Sequence, residues 1–148
     1  MNKISSYYFD TSALLPYYRQ EALSEKVEKL LQTMQGKVMI SWLTEVEIFS
    51  AIARWERLGE INRSEMNVIQ ETFNQHLNQS MYYSLPLSKA IFQQAKAWLA
   101  TGYTALRTLD ALHLACAYHA QVKIISADYK LIQAAQFFEL DCLYLTTA

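Results

Sequence analysis

Tyr7-Tyr8-Phe9-Asp10-Thr11-Ser12-Ala13-Leu14-Leu15 decides how the chain reads. A short aromatic and apolar run stops at an aspartate, two hydroxyl residues follow, and apolar positions resume. A buried strand has this pattern when its last residue delivers a carboxylate to the edge of a sheet. The chain has four aspartates, Asp10, Asp110, Asp128 and Asp141, and the first three sit inside or directly after apolar segments. A charge in that setting costs on the order of several kcal/mol in desolvation unless a counter-charge or a metal receives it. The glutamates mostly behave differently. Glu25, Glu28, Glu56, Glu60, Glu65 and Glu71 lie on polar helical faces, and Glu47, in an apolar context, is the exception.

Around this stretch the spacing predicts a strand over 5–9 and a short helix over 11–19, entered through Thr11 and Ser12 with Pro16 near its first turn. A helix over about 22–35 stops at Gly36, and Lys37-Val38-Met39-Ile40 reads as a short buried strand. Ser41 or Thr44 caps a long amphipathic helix over about 43–58 that ends at Gly59, and Ser64 is expected to cap the next, to about 79. Tyr82-Tyr83-Ser84 is a strand candidate, and a helix over 88–100 ends at Gly102. Thr108 starts an almost all-round apolar helix, which must therefore be central. A strand over 122–126, a helix over 129–136 and a strand over 142–145 complete the chain. Short apolar strands separated by helical crossovers argue for an α/β/α sandwich with a central parallel sheet.

At 148 residues the length fits one domain spanning 1–148, able to bury roughly two thirds of the surface of its unfolded chain. The 52% hydrophobic content and net charge of −1 exclude a disordered chain and a generally basic nucleic-acid binder, though not a locally basic rim. With three glycines and two prolines there is no Gly-rich phosphate loop and no linker. Strand-like aromatics and Asp10 follow the opening Met1-Asn2-Lys3-Ile4-Ser5-Ser6 where a secretory apolar stretch would continue, and no apolar run is long enough for a membrane span. A cytoplasmic protein with no membrane partner is expected. Cys116 and Cys142 lack metal-ligand spacing and read as small buried apolar residues.

In an open parallel sheet, ligands bind outside the carboxyl ends of the strands. Asp10 and Asp128 end strands, Asp110 lies near the start of the buried helix, and Glu47 lies in the first turns of another. If both helix N-termini face the same edge, four carboxylates share a small volume and cannot all stay ionised without cations. Hard oxygen donors select magnesium or manganese over zinc. Each residue also has a plainer reading. Asp10 and Asp128 are good helix N-caps, Arg107 or Thr108 can satisfy Asp110, and Glu47 can be solvated. Thr11 and Ser12 either cap the helix or orient a carboxylate, a water or a phosphate oxygen. His113 is expected to hydrogen-bond locally, while His76 and His119 read as surface positions. Tyr17, Tyr18 and Arg19 can stack on RNA bases, face a partner, or simply pack.

Four pieces in this order, Tyr8-Phe9-Asp10-Thr11-Ser12-Ala13-Leu14, Ser41-Trp42-Leu43-Thr44-Glu45-Val46-Glu47, Leu106-Arg107-Thr108-Leu109-Asp110-Ala111-Leu112-His113-Leu114-Ala115 and Ser126-Ala127-Asp128-Tyr129-Lys130-Leu131, resemble the PIN domain, especially its VapC-like toxin branch. The resemblance spans nearly the whole chain. It implies a metal-dependent ribonuclease using Mg2+, with Mn2+ as a substitute and one or two ions, and puts Asp10, Glu47, Asp110 and Asp128 at the family's acidic positions. Glu45 falls off that spacing. It also implies an RNA substrate and a small antitoxin covering the site in a type II toxin–antitoxin pair, and leaves a homodimer open. Tyr17, Tyr18, Trp42, Phe49 and Trp55 are expected to line the antitoxin groove. Two alternatives are a haloacid-dehalogenase-like phosphatase, which needs a second aspartate where Ser12 stands, and a non-catalytic PIN-fold interaction module, which needs no acidic set.

Overall fold

Strand-forming residues in runs of three or four are too short to stand alone, and each is held by a parallel neighbour. In a computed structural model describing residues 6–147, the strands are β1 (Tyr7–Phe9), β2 (Val38–Ser41), β3 (Tyr83–Leu85), β4 (Lys123–Ser126) and β5 (Cys142–Tyr144). They form one all-parallel sheet in the order β3-β2-β1-β4-β5. The start of the expected first strand, at Ser5, lies outside the described residues.

The helices among the described residues are α1 (Thr11–Leu14), α2 (Ser24–Thr33), α3 (Trp42–Arg57), α4 (Arg63–Asn78), α5 (Lys89–Thr101), α6 (Thr108–Ala120) and α7 (Tyr129–Phe137). The period-two alternation of the strands builds a core on each face of the sheet. Tyr8, Met39 and Ile124 point to one side, where α5, α6 and α7 supply Ile91, Trp98, Leu114 and Leu131. Phe9, Ile40 and Ile125 point to the other, against Leu14, Val27, Ile48 and Phe73. Helix α6 is buried continuously from Ala111 to Ala117. Among the described residues no helix is long and apolar enough to cross a membrane.

Local details differ from the sequence-based expectation. The helix expected over 11–19 breaks after Leu14 into a 3-10 turn at Leu15–Tyr17, because Pro16 carries no N–H to continue the α-helical ladder. Asp10, rather than Thr11 or Ser12, caps α1, with Oδ1 accepting the Ala13 N–H at 3.0 Å. Asn62, rather than Ser64, caps α4 through a reciprocal box with Glu65 at 2.8 and 2.9 Å. Helix α5 ends as expected at Gly102, whose φ of 68° a side chain would resist.

The strand order places the chain reversal between β1 and β4. From β1 the chain builds outward through β2 to β3, then returns across the sheet to β4 and outward to β5. Helices following β1 and β4 leave on opposite faces, so a crevice opens at the carboxyl ends of these two strands.

Candidate active site

Asp10 is the first residue past β1, and Ser126 is the last of β4. The register, with Phe9 opposite Ile125, brings them side by side at the crevice. Ser126 Oγ donates to Asp10 Oδ2 at 2.6 Å and accepts the Asp128 N–H at 2.9 Å. Ser12 Oγ donates to Asp10 Oδ1 at 2.7 Å and accepts the Ala127 N–H at 3.0 Å. Two serine hydroxyls thus stitch the ends of β1 and β4 together, Ser126 through its donor on Asp10 and Ser12 through its acceptor on the Ala127 N–H. The Asp10 carboxylate is only 3% exposed. Burial pushes its pKa up, against the His113 charge and the Ser126, Ser12 and Ala13 hydrogen bonds.

Asp128 caps α7, with Oδ1 accepting from the N–H groups of Lys130 at 2.9 Å and Leu131 at 3.4 Å. The cap reading and the strand-end reading therefore hold together for Asp10 and for Asp128. Asp110 sits in the first turn of α6. Burial and the nearby Asp128 charge push its carboxyl above the ordinary carboxylate range, against His113 and the charge and backbone N–H of Arg107. Asp110 and Asp128, far apart in sequence, are thus electrostatic neighbours. Among the described residues none of Asp10, Asp110 and Asp128 has an ion pair with Lys or Arg.

Glu47 projects from α3 and is held from two sides. Its Oε1 accepts the Thr11 hydroxyl at 2.6 Å and lies 2.5 Å from His113 Nε2. Burial works against its ionisation, but the His113 hydrogen bond and charge and the Thr11 hydroxyl outweigh it, and its pKa is lowered. Because an ionised carboxylate only accepts, Nε2 carries the proton. His113 is itself only 3% exposed, and its Nδ1 lies 2.6 Å from the Tyr8 hydroxyl. The local hydrogen bonding expected of His113 is present, and its partner is the candidate acid Glu47.

The four carboxylates do not close into one cage. Among the described residues no group of three or more His, Cys, Asp or Glu side chains could hold an ion between them. Both Asp10 oxygens accept from the serines, and Glu47 Oε1 is engaged by Thr11 and His113. The donor set nevertheless fits a hard divalent cation. Magnesium is commonly held by one or two carboxylates, with waters and substrate phosphates completing its octahedron, rather than by an all-protein cage.

Two residues of this site, Tyr8 and Ser126, carried no assigned role in the sequence reading, and Ser41 was read only as a helix cap. Ser41 and Ser126 are fully buried hydroxyls at strand ends, a signal present in the sequence as a serine closing an apolar run. The expected aromatic groove is not formed as drawn. Tyr18 hydrogen-bonds Tyr82 at 2.5 Å and His76 at 2.7 Å, and its ring meets Phe73 edge-on. Phe49 also packs on Phe73, and Trp55 lies under the Arg19 guanidinium. Of the five aromatics only Trp42, at 57%, is exposed, and Tyr17, Tyr18 and Phe49 pack their rings against α4. His76, on α4, is partly buried rather than a surface residue, and Cys142 is half-buried where Cys116 is fully buried.

The model of the PIN domain family matches residues 7–136. Among curated protein sequences no significant match is found. Among solved structures, FitAcB from Neisseria gonorrhoeae is similar with a TM-score of 0.65 and 18% identity, covering 93% of this chain and 96% of that one. VapC20 from Mycobacterium tuberculosis, a sarcin-ricin loop cleaving toxin, gives 0.68 and 15%, with 86% and 94% covered. A toxin–antitoxin complex from Klebsiella pneumoniae gives 0.60 and 20%, with 83% and 87% covered.

Proposed function

The chain belongs to the PIN domain family, and from that premise we propose that it is a metal-dependent endoribonuclease acting as the toxin of a toxin–antitoxin pair. The observation that carries the reading is the meeting of Asp10 and Asp128 at the sheet's switch point, joined through the Ser126 hydroxyl, with Asp110 close enough to feel the Asp128 charge. Acids that hinder one another's ionisation favour a cation between them. One or two of Asp10, Asp110 and Asp128 would ligate it, with waters and substrate phosphates completing its shell and Glu47 as the further carboxylate of the site. When bound, a magnesium or manganese ion acidifies a water for in-line attack on an RNA phosphodiester and neutralises charge on the leaving oxygen. Ser12 and Ser126 keep the Asp10 oxygens fixed, and Thr11 does the same for Glu47.

Ser12 argues against the phosphatase alternative. The position two residues after Asp10 carries a hydroxyl bonded back to Asp10, where that chemistry requires a second carboxylate. The RNA-cleaving neighbour and the neighbour in complex with its antitoxin support an RNA substrate and a small protein partner for this chain. Trp42, exposed at the carboxyl end of β2, is the aromatic anchor that such a partner would meet.

The purified protein should cleave single-stranded or loop RNA, lose the activity in EDTA and regain it with added Mg2+ or Mn2+. Asp110→Asn should lower cleavage by about 100-fold or more, at least the loss expected from an outer-sphere partner, while remaining folded. Cleavage that survives excess chelator would overturn the mechanism. Expression of the chain alone should slow growth and co-expression of the adjacent small gene should restore it. Unaffected growth at matched protein levels would remove the toxin role and leave the nuclease.

A further inference from the structure

Glu47 has three rotatable side-chain bonds and projects from a helix whose packing lies mainly on one face of the sheet. Left to itself, its carboxylate would sample many positions around the crevice. The structure gives it one. Thr11 and His113 both engage Oε1, and among the described residues no hydrogen bond involves Oε2. His113 comes from α6, in the opposite layer, and its ring cannot rotate freely because the Tyr8 hydroxyl holds Nδ1 at 2.6 Å.

Tyr8 is fixed in turn. Its hydroxyl lies 2.9 Å from Ser41 Oγ and 3.4 Å from Thr44 Oγ1, the two residues whose reciprocal box caps α3. The hydrogen bonds therefore leave α3 at Glu47, pass through α6 and β1, and return to α3 at Thr44. A side chain held by a circuit that begins and ends on its own helix has its direction set by the tertiary structure and not by rotamer preference. All four members except Glu47 are buried below one-tenth exposure, so water does not substitute for them.

We infer that His113 is a positioning residue for Glu47, and that the Tyr8–His113–Glu47 chain holds Oε1 so that Oε2 is presented to the cation of the acidic edge. The inference rests on the nuclease reading above. His113 acts through Glu47: its Nε2 is engaged by the carboxylate and its Nδ1 by Tyr8, which leaves no ring nitrogen to ligate an ion.

Three full-length variants test it. His113→Leu fills the space without a donor, His113→Gln keeps an amide N–H able to reach Glu47, and Tyr8→Phe keeps the imidazole–carboxylate bond but frees the ring. Mn2+ binding is measured by titration calorimetry, RNA cleavage as a function of Mn2+ concentration, and folding by thermal unfolding. His113→Leu should weaken Mn2+ binding and raise the half-activating Mn2+ concentration by about tenfold, with most of the rate recovered at saturating metal. His113→Gln should stay within about threefold of wild type, and Tyr8→Phe should fall between the two. If His113→Leu does not fold, the contrast between His113→Gln and Tyr8→Phe carries the test, and equal wild-type affinity in both overturns the inference. Folded His113→Leu with wild-type Mn2+ affinity also overturns it. So does an equal loss in the Leu and Gln variants, which would mean that the ring serves packing alone. A wild-type protein that neither binds Mn2+ nor cleaves RNA would refute the nuclease reading itself, and the inference with it.

Discussion

Each face of the sheet carries one tyrosine–histidine hydrogen bond of nearly the same length. Tyr8 meets His113 at 2.6 Å and Tyr18 meets His76 at 2.7 Å, each through Nδ1. What surrounds the pair separates them. The second nitrogen of His113 lies on the Glu47 carboxylate, and Asp10 and Asp110 both feel its charge. His76 is instead ringed by Tyr17, Tyr18 and Tyr82, and burial lowers its pKa. One pair steers an acid, and the other joins the aromatics at the 3-10 turn to α4 as part of an apolar core. A Tyr–His contact has no function by itself; the group on the far nitrogen gives it one.

The largest effect expected is on the packing side. Phe73 is fully buried and touches Tyr18, Phe49 and Tyr82. Phe73→Ala should reduce stability by about 3–5 kcal/mol in urea unfolding, while RNA cleavage per folded molecule stays at the wild-type level. A matching loss of cleavage per folded molecule would join the two regions that the comparison keeps apart.

Removing the two tyrosine hydroxyls compares the pairs directly. Tyr8→Phe strands a buried histidine nitrogen and should reduce stability by about 1–3 kcal/mol, whereas Tyr18→Phe, at a half-buried site, should reduce it by about 0.5–1.5 kcal/mol. Only the first should also alter the metal dependence of cleavage. Equal effects of the two variants on both properties would break the distinction.

The smallest expected effects are in pH dependence, and they differ in sign within the acidic site. Asp110 has a raised pKa, because of burial and Asp128, so its stabilising contribution is complete below the ordinary value of 3.8 and is lost as pH rises through the raised folded value. Glu47 has a lowered pKa, so its contribution is present above the ordinary 4.5 and is lost as pH falls through the lowered folded value. Asp110→Asn should therefore remove a loss of stability on the alkaline side of 3.8, and Glu47→Gln a loss on the acid side of 4.5. Urea midpoints followed from about pH 3 to 7 check both, and a shared sign would contradict the electrostatics.

Strand-terminal carboxylates, the parallel α/β/α order and the central helix α6 were legible because each depends on local pattern. An apolar run of period two makes a strand, an all-round apolar helix must be covered on all sides, and an aspartate after such a run emerges at a sheet edge. Helix ends were less legible, as at α4, where Asn62 and not the expected Ser64 is the cap. Which cap is used depends on a reciprocal bond with Glu65 that only the folded turn brings into reach.

By itself the sequence determined which residues could take part: Asp10, Glu47, Asp110 and Asp128 as acids, with Thr11, Ser12 and His113 near them in motif order. Only the tertiary structure decided how they are joined. The Ser126 bond to Asp10 spans 116 positions, and the His113 bond to Glu47 spans 66. Nothing in local spacing sets such distances, because they follow from the crossover that puts β4 beside β1 and lays α6 against the face carrying Tyr8. The same packing turned Tyr17, Tyr18, Phe49 and Trp55 inward and left Trp42 exposed, since α4 buries apolar surface on one side of α3 and no described element covers the helix's first residue.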